Sequence, residues 1–224
     1  MEDKEHIGLL GLGSFTTQLY LRLLNKFYSE IHGGFSTCPL IMLNANFEHI
    51  NPHLPNKFDK LIPVTEKYIA ELNEQSIRCM VVPNITLHET IDRISLPTGV
   101  NLIHPVMETI MMLKKDQVRE VILMGTKHTM NSDYIRSHFE NQGITVSLPN
   151  EDDQSKIDQL RQDIYRGKES KLQQHEFNDL CEQYCLKAPV VLSCTELSIV
   201  KLSPRVSIYD MVKIQVKRAI ETLD

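Results

Sequence analysis

One rhythm constrains this chain more than any other feature: short apolar runs, each followed by a longer stretch of helical periodicity. The runs are HIGLLGLG, PLIMLNA, IRCMVVP, VNLIHPV, EVILMGT, ITVSLP and APVVLSC, each bounded by turn or capping residues. Runs this short and continuous fit strands buried on both faces, and strands alternating with helices build α/β layers around mostly parallel sheet. Helices are expected near residues 16–31, 64–77, 86–95, 105–116, 131–142, 151–166, 172–186 and 206–222.

With 224 residues, 42% of them hydrophobic, the chain can bury a core as one large domain or two small ones. A formal net charge of -5 and the lack of a dense Lys/Arg run argue against nucleic acid or an anionic membrane as partner. The charged opening MEDKEH leads straight into a strand-like run, with no signal-peptide apolar region, and no apolar stretch reaches spanning length; a cytoplasmic location is expected. The five cysteines, Cys38, Cys79, Cys181, Cys185 and Cys194, are odd in number and form no CxxC pair. A disulfide framework and a zinc site therefore both fit poorly, and no metal is expected.

SLPTGVN, residues 95–101, puts Pro and Gly between a helix and a new strand and is the best internal boundary. An internal echo also spans the chain. CMVVPNITLHETI and PVVLSCTELSIV are each an apolar strand ending in a polar residue that opens a helix, with Asn84 and Cys194 in corresponding places. Two similar half-domains facing a cleft would explain it.

Four stretches at predicted strand ends, where open α/β sheets bind ligands, could carry chemistry. Ser193-Cys194-Thr195-Glu196 fits a capping box, with Ser193 as N-cap and Cys194 at the first helical position. Helix amides there would favour a thiolate; the other reading is a small buried hydrophobe at a strand end. GLGSFTT, residues 11–17, lacks the Lys-Ser/Thr of a P-loop and the third glycine of a dinucleotide fingerprint. Gly13 and Ser14 there either hold a carboxylate on helix N-terminal amides or make a plain tight turn. In VPNITLHETIDRI, Thr86 and Glu89 form a second possible capping box, and His88 lies one helical turn beyond Asn84. In ILMGTKHTMNSDY, Thr126 and Thr129 end a strand and begin a helix, where threonines usually cap.

Taken in order and spacing, IGLLGLGSFTT, LNANFEHI, VVPNITLH, LMGTKHTMNSDY, ITVSLPNEDDQSKIDQLRQDIYRGK and LSCTELSIV resemble the cofactor-independent aspartate/glutamate racemase family over nearly the whole chain. Cys194-Thr195-Glu196 after an apolar strand is the most specific motif. The resemblance implies two pseudo-symmetric, Rossmann-like α/β half-domains with parallel sheets and a cleft between them, residues 1–97 plus 206–224 forming the first and 98–205 the second. It implies a homodimer, no PLP or metal, and two thiols on opposite faces of the substrate Cα. A small acidic amino acid or dicarboxylate would be bound by Gly13, Ser14, Thr86, Thr126, Thr129 and Thr195.

The chain departs from this pattern where relatives carry Cys-Asn-Thr or Thr-Asn-Thr. Here the segment is Asn84-Ile85-Thr86, and a His expected after Asp210 is Gln215. Asn84 is neither acid nor base at neutral pH, and Ile85 replaces an amide that would hold the substrate. With Cys194 and Asn84 at the two catalytic positions, His88, Glu196, Thr86 or a water are the remaining proton sources. The resemblance thus implies an isomerase acting on aspartate, glutamate or a similar acid with an altered first half-site. The alternatives are a single-thiol enzyme like the arylmalonate decarboxylases, or an inactive ligand-binding homologue.

Overall fold

The computed structural model describes residues 5–223; the charged opening at residues 1–4, on which the lack of a leader was read, lies outside them. The chain packs as two units. One runs to His104 and takes the chain back from Gln215, and the other comprises Pro105–Ile214.

In the first unit β1 (His6–Gly11) is central, with β2 (Leu40–Asn44) and β3 (Ile77–Val81) parallel on either side. Helix α1 (Ser14–His32) buries Thr17, Tyr20 and Leu24 at helical spacing and ends at Gly33, whose φ of 71° suits a residue without Cβ. Helix α2 (Phe58–Asn73) carries Pro63 inside it, and a short helix α3 (His88–Ile91) follows β3.

The second unit opens with α4 (Pro105–Lys115) and repeats the plan. Its central β4 (Glu120–Gly125) pairs in parallel with β5 (Thr145–Ser147) on one side and β6 (Val190–Ser193) on the other. β7 (Ile208–Asp210) extends the sheet beyond β6, giving the order β5-β4-β6-β7. Between the strands lie α5 (Lys127–Met130), α6 (Asp133–Glu140), α7 (Glu151–Tyr165) and α8 (Lys171–Cys185). Asn150 caps α7 by accepting from the Asp153 N–H, and three acidic residues in the first turn suit the helix dipole. Ser170 and Gln173 form a true capping box on α8. Helix α9 (Met211–Ile220) closes the chain.

The α/β class and parallel sheets match the expectation, and each unit places its first strand centrally between its second and third. Four details differ. VNLIHPV forms only an isolated bridge between Leu102 and Met80, because Pro105 supplies no N–H and starts α4. The helix expected from residue 206 begins at Met211 instead, since Ile208–Asp210 pair with β6. These two pairings also move the unit boundaries from 97 and 206 to His104 and Gln215. The helix expected over 86–95 shrinks to α3, whereas the one over 131–142 forms as α6, with α5 a separate turn before it. Among the described residues no helix is long and apolar enough to cross a membrane.

Candidate active site

β6 delivers Cys194 to the carboxyl end of its sheet, but not onto the helix that the Ser-x-x-Glu spacing suggested. Ser193 is the last residue of the strand, and its hydroxyl donates to the Met124 carbonyl at 3.2 Å. It therefore caps nothing. The chain goes through a tight turn into a single 3-10 turn at Leu197–Ile199, which has no side-chain cap. Within this turn the Cys194 thiol donates to Glu196 Oε2 at 3.0 Å, and the Thr195 hydroxyl donates to the same oxygen at 2.9 Å.

Two opposing influences meet at the sulfur. The backbone N–H groups of Leu197 and Glu196 bond to it and favour a thiolate. Burial acts more strongly the other way, followed by the Glu196 charge and its hydrogen bond, so the thiol is held well above its ordinary value. The expected amides are present, yet Cys194 is a protonated thiol, 3% exposed, paired with a carboxylate. Its reactivity toward reagents follows. Cys185 is the half-exposed cysteine of the five and the other four are buried. Iodoacetamide at neutral pH should alkylate Cys185 ahead of Cys194, reversing what a helix-activated thiol would give; peptide mapping of a time course reads the order.

The first unit builds the corresponding turn without a thiol. The Leu87 N–H bonds to Asn84 Oδ1 at 2.9 Å, three residues on, as the Leu197 N–H bonds to Cys194. Asn84 is therefore the cap of this turn, and the Thr86/Glu89 capping box does not form. Ile85 is buried. The correspondence reaches four residues on: His88 Nδ1–H donates to the Asn84 carbonyl at 2.8 Å, and Ser198 Oγ lies 3.2 Å from the Cys194 carbonyl.

That bond fixes the His88 tautomer and leaves Nε2 buried without a hydrogen-bond partner. The ring is 0% exposed and meets the His104 ring edge-on at 4.6 Å. Burial first, and the His104 charge second, pull its pKa from 6.5 down to about 3. A ring that is neutral and fully enclosed presents no proton to a substrate, so the direct relay expected of His88 has no atom to act through. A stability effect does follow. The unfolded chain takes up a proton below about pH 6.5 that the folded chain refuses until about pH 3. Stability is thus full above pH 6.5 and is lost as pH falls through this window, by roughly 2 kcal/mol between pH 8 and pH 5. Urea midpoints of the native chain and His88→Asn at these two pH values should show the dependence shrinking in the variant.

The remaining candidates fall at two strand ends. Gly125 closes β4 beside Ser193, and a Cβ there would run into Ser193 Oγ and Thr129 Oγ1. Thr126 caps α5 through a 2.9 Å bond from the Thr129 N–H, and Thr129 Oγ1 donates to the Thr126 carbonyl at 3.0 Å. Thr126 is half-buried and Thr129 is buried, so capping describes both. In the first unit Gly13, with φ 72°, turns the chain from β1 into α1, whose first turn has no side-chain cap and no acidic residue. Ser14 is exposed there. Gln215, where a His was expected, accepts from the Tyr20 hydroxyl at 2.6 Å and donates to the Ile103 carbonyl at 2.6 Å, a fully buried structural tie. Sequence reading passed over Gly125 and Ser198; a glycine directly before the strand-end threonine was the available signal for the first.

These features define a duplicated parallel α/β protein with a thiol–carboxylate pair at the carboxyl end of a strand. The family profile for Asp/Glu/Hydantoin racemase matches residues 9–219, and the chain belongs to that family. Among solved structures it resembles a candidate Asp/Glu racemase from Yersinia pestis (20% identity, TM-score 0.85, covering 98% of this chain and 100% of that one). It also resembles an aspartate racemase homologue from Pyrococcus horikoshii OT3 (22%, 0.81, 97% and 98%) and the Picrophilus torridus aspartate racemase (15%, 0.78, 97% and 94%). At such identities the likeness is one of fold.

Proposed function

We propose that this protein is a cofactor-independent, racemase-like isomerase that moves the Cα proton of aspartate, glutamate or a similar small acidic substrate, with an altered first half-site. The contact between Cys194 and Glu196 carries the reading. Glu196 takes the thiol proton across 3.0 Å, and the two backbone N–H groups at the sulfur hold the thiolate. The thiolate removes the Cα proton, its electron pair passing into the substrate carboxylate system. The reverse transfer returns a proton from Cys194 to the same face. Inversion needs a donor on the other face, and the Asn84 amide is not one. The small acidic amino acid and a homodimer belong to the same proposal, with Gly13, Ser14, Thr86, Thr126, Thr129 and Thr195 as its substrate contacts.

The protonated state of Cys194 favours one second reading. A thiol kept neutral by burial and Glu196 is ready to donate, which suits a single-thiol enzyme that protonates a carbanion left by loss of CO₂. Incubation in D₂O with L- and D-aspartate and glutamate, followed by NMR, tests both. Exchange at Cα that outpaces inversion is the expected result. CO₂ release from an arylmalonate, without amino-acid exchange, would transfer the assignment to the second reading. Neither activity would leave a ligand-binding homologue.

A further inference from the structure

The turn that carries Cys194 is too short to hold itself. It has no capped helix behind it, and its 3-10 segment spans only Leu197–Ile199. Yet both reactive side chains sit in one defined geometry, so something outside the turn must fix it. The tie is Ser198, whose hydroxyl lies 3.2 Å from the Cys194 carbonyl and 2.8 Å from Asp210 Oδ1. Asp210 is itself immobilised. It ends β7 opposite Leu192 of β6, and its Oδ1 also accepts from the Val212 and Lys213 N–H groups at 3.1 and 3.3 Å. Its Oδ2 pairs with Lys213 Nζ at 2.9 Å. Ser198 and Asp210 are both buried, in a setting where hydrogen bonds to a charged acceptor are strong.

We infer that Ser198 and Asp210 are positioning residues for Cys194: the single Ser198 O–H proton is shared between Asp210 Oδ1 and the Cys194 carbonyl, which ties the turn to the end of β7 so that the thiol meets Glu196. The first unit supports this independently. There His88, at the corresponding place four residues beyond Asn84, bonds the Asn84 carbonyl. Two turns with different side chains thus secure the same backbone atom from the same position. The catalytic value of the grip rests on the proton-transfer role proposed above for Cys194, but the grip itself does not.

The test therefore uses a readout that needs no activity: the pH dependence of Cys194 alkylation, followed by mass spectrometry of its peptide, in folded Asp210→Ala, Asp210→Asn and Ser198→Ala proteins. Loosening the turn separates the thiol from Glu196 and admits reagent. Asp210→Ala should raise the rate at pH 7.5 by about tenfold or more, the effect of a one-unit fall in thiol pKa. Asp210→Asn keeps an oxygen acceptor for Ser198 and should stay within about threefold of the native rate. Ser198→Ala should move in the same direction as Asp210→Ala, and it decides the matter if Asp210→Ala fails to fold. A native profile in the folded alanine variants overturns the inference. So does an Asp210→Asn profile like that of Asp210→Ala, because the charge and not the grip would then be responsible. If the native protein exchanges no Cα proton, the functional proposal falls while this comparison still decides the positioning role.

Discussion

Cys194→Ala should lower Cα exchange by roughly 10²- to 10⁴-fold, the usual contribution of a placed acid or base, while leaving the fold intact. The side chain is small and the strand before it is secured by pairing with β4 and β7, so removing one sulfur leaves these ladders unaltered. Cys194→Ser should fare little better. A hydroxyl donates to Glu196 as the thiol does, but its anion is far too basic to form beside a carboxylate. The pair of variants separates two roles for the sulfur. If it only packs, both variants keep exchange and shift stability slightly. If it transfers protons, both lose exchange at native stability. Undiminished exchange in Cys194→Ala, measured by NMR in D₂O beside a urea titration, would return the residue to a strand-end hydrophobe.

Periodicity made the long elements readable, because α1, α7 and α8 bury residues at helical spacing and the central strands are unbroken apolar runs. The echo between the Asn84 and Cys194 segments was legible for the same reason, as both follow the third strand of their unit. Short elements were not. Ile208–Asp210 is a three-residue edge strand whose identity depends on β6 lying beside it, and VNLIHPV looks like a strand but contributes one bridge. The capping box at Ser193 failed for a tertiary reason. Its letters are right, but the missing side chain of Gly125 lets Ser193 Oγ turn inward to the Met124 carbonyl. The acidity of Cys194 is not legible in the sequence either, since spacing reveals the amides near the sulfur but not whether they or burial prevail.

Asn84→Cys should raise racemisation, and the structure gives both the reason and a limit. Asn84 Oδ1 occupies the Leu87 N–H in the way that Cys194 occupies the Leu197 N–H, so the substitution replaces a neutral cap with a sulfur facing the same kind of donor. Losing the amide oxygen costs about 1 kcal/mol of capping, small beside the stability of a typical domain. By the alignment of the two turns, the residue at the place of Glu196 is Thr86, so the new thiol lacks the carboxylate contact that Cys194 makes. It should alkylate faster than Cys194 at neutral pH, which confirms that it has formed a reactive thiol before any substrate is added. On the two-thiol mechanism proposed above, inversion should rise by about 10²-fold or more and approach the rate of exchange. The buried Ile85 sets the limit, since an apolar side chain offers a substrate no hydrogen bond. Fast alkylation at position 84 with no gain in inversion would show that the first half-site lacks more than a thiol. Adding Ile85→Asn to the variant should then restore the difference, and a double variant still unable to invert either acid would count against racemisation as the ancestral chemistry of this site.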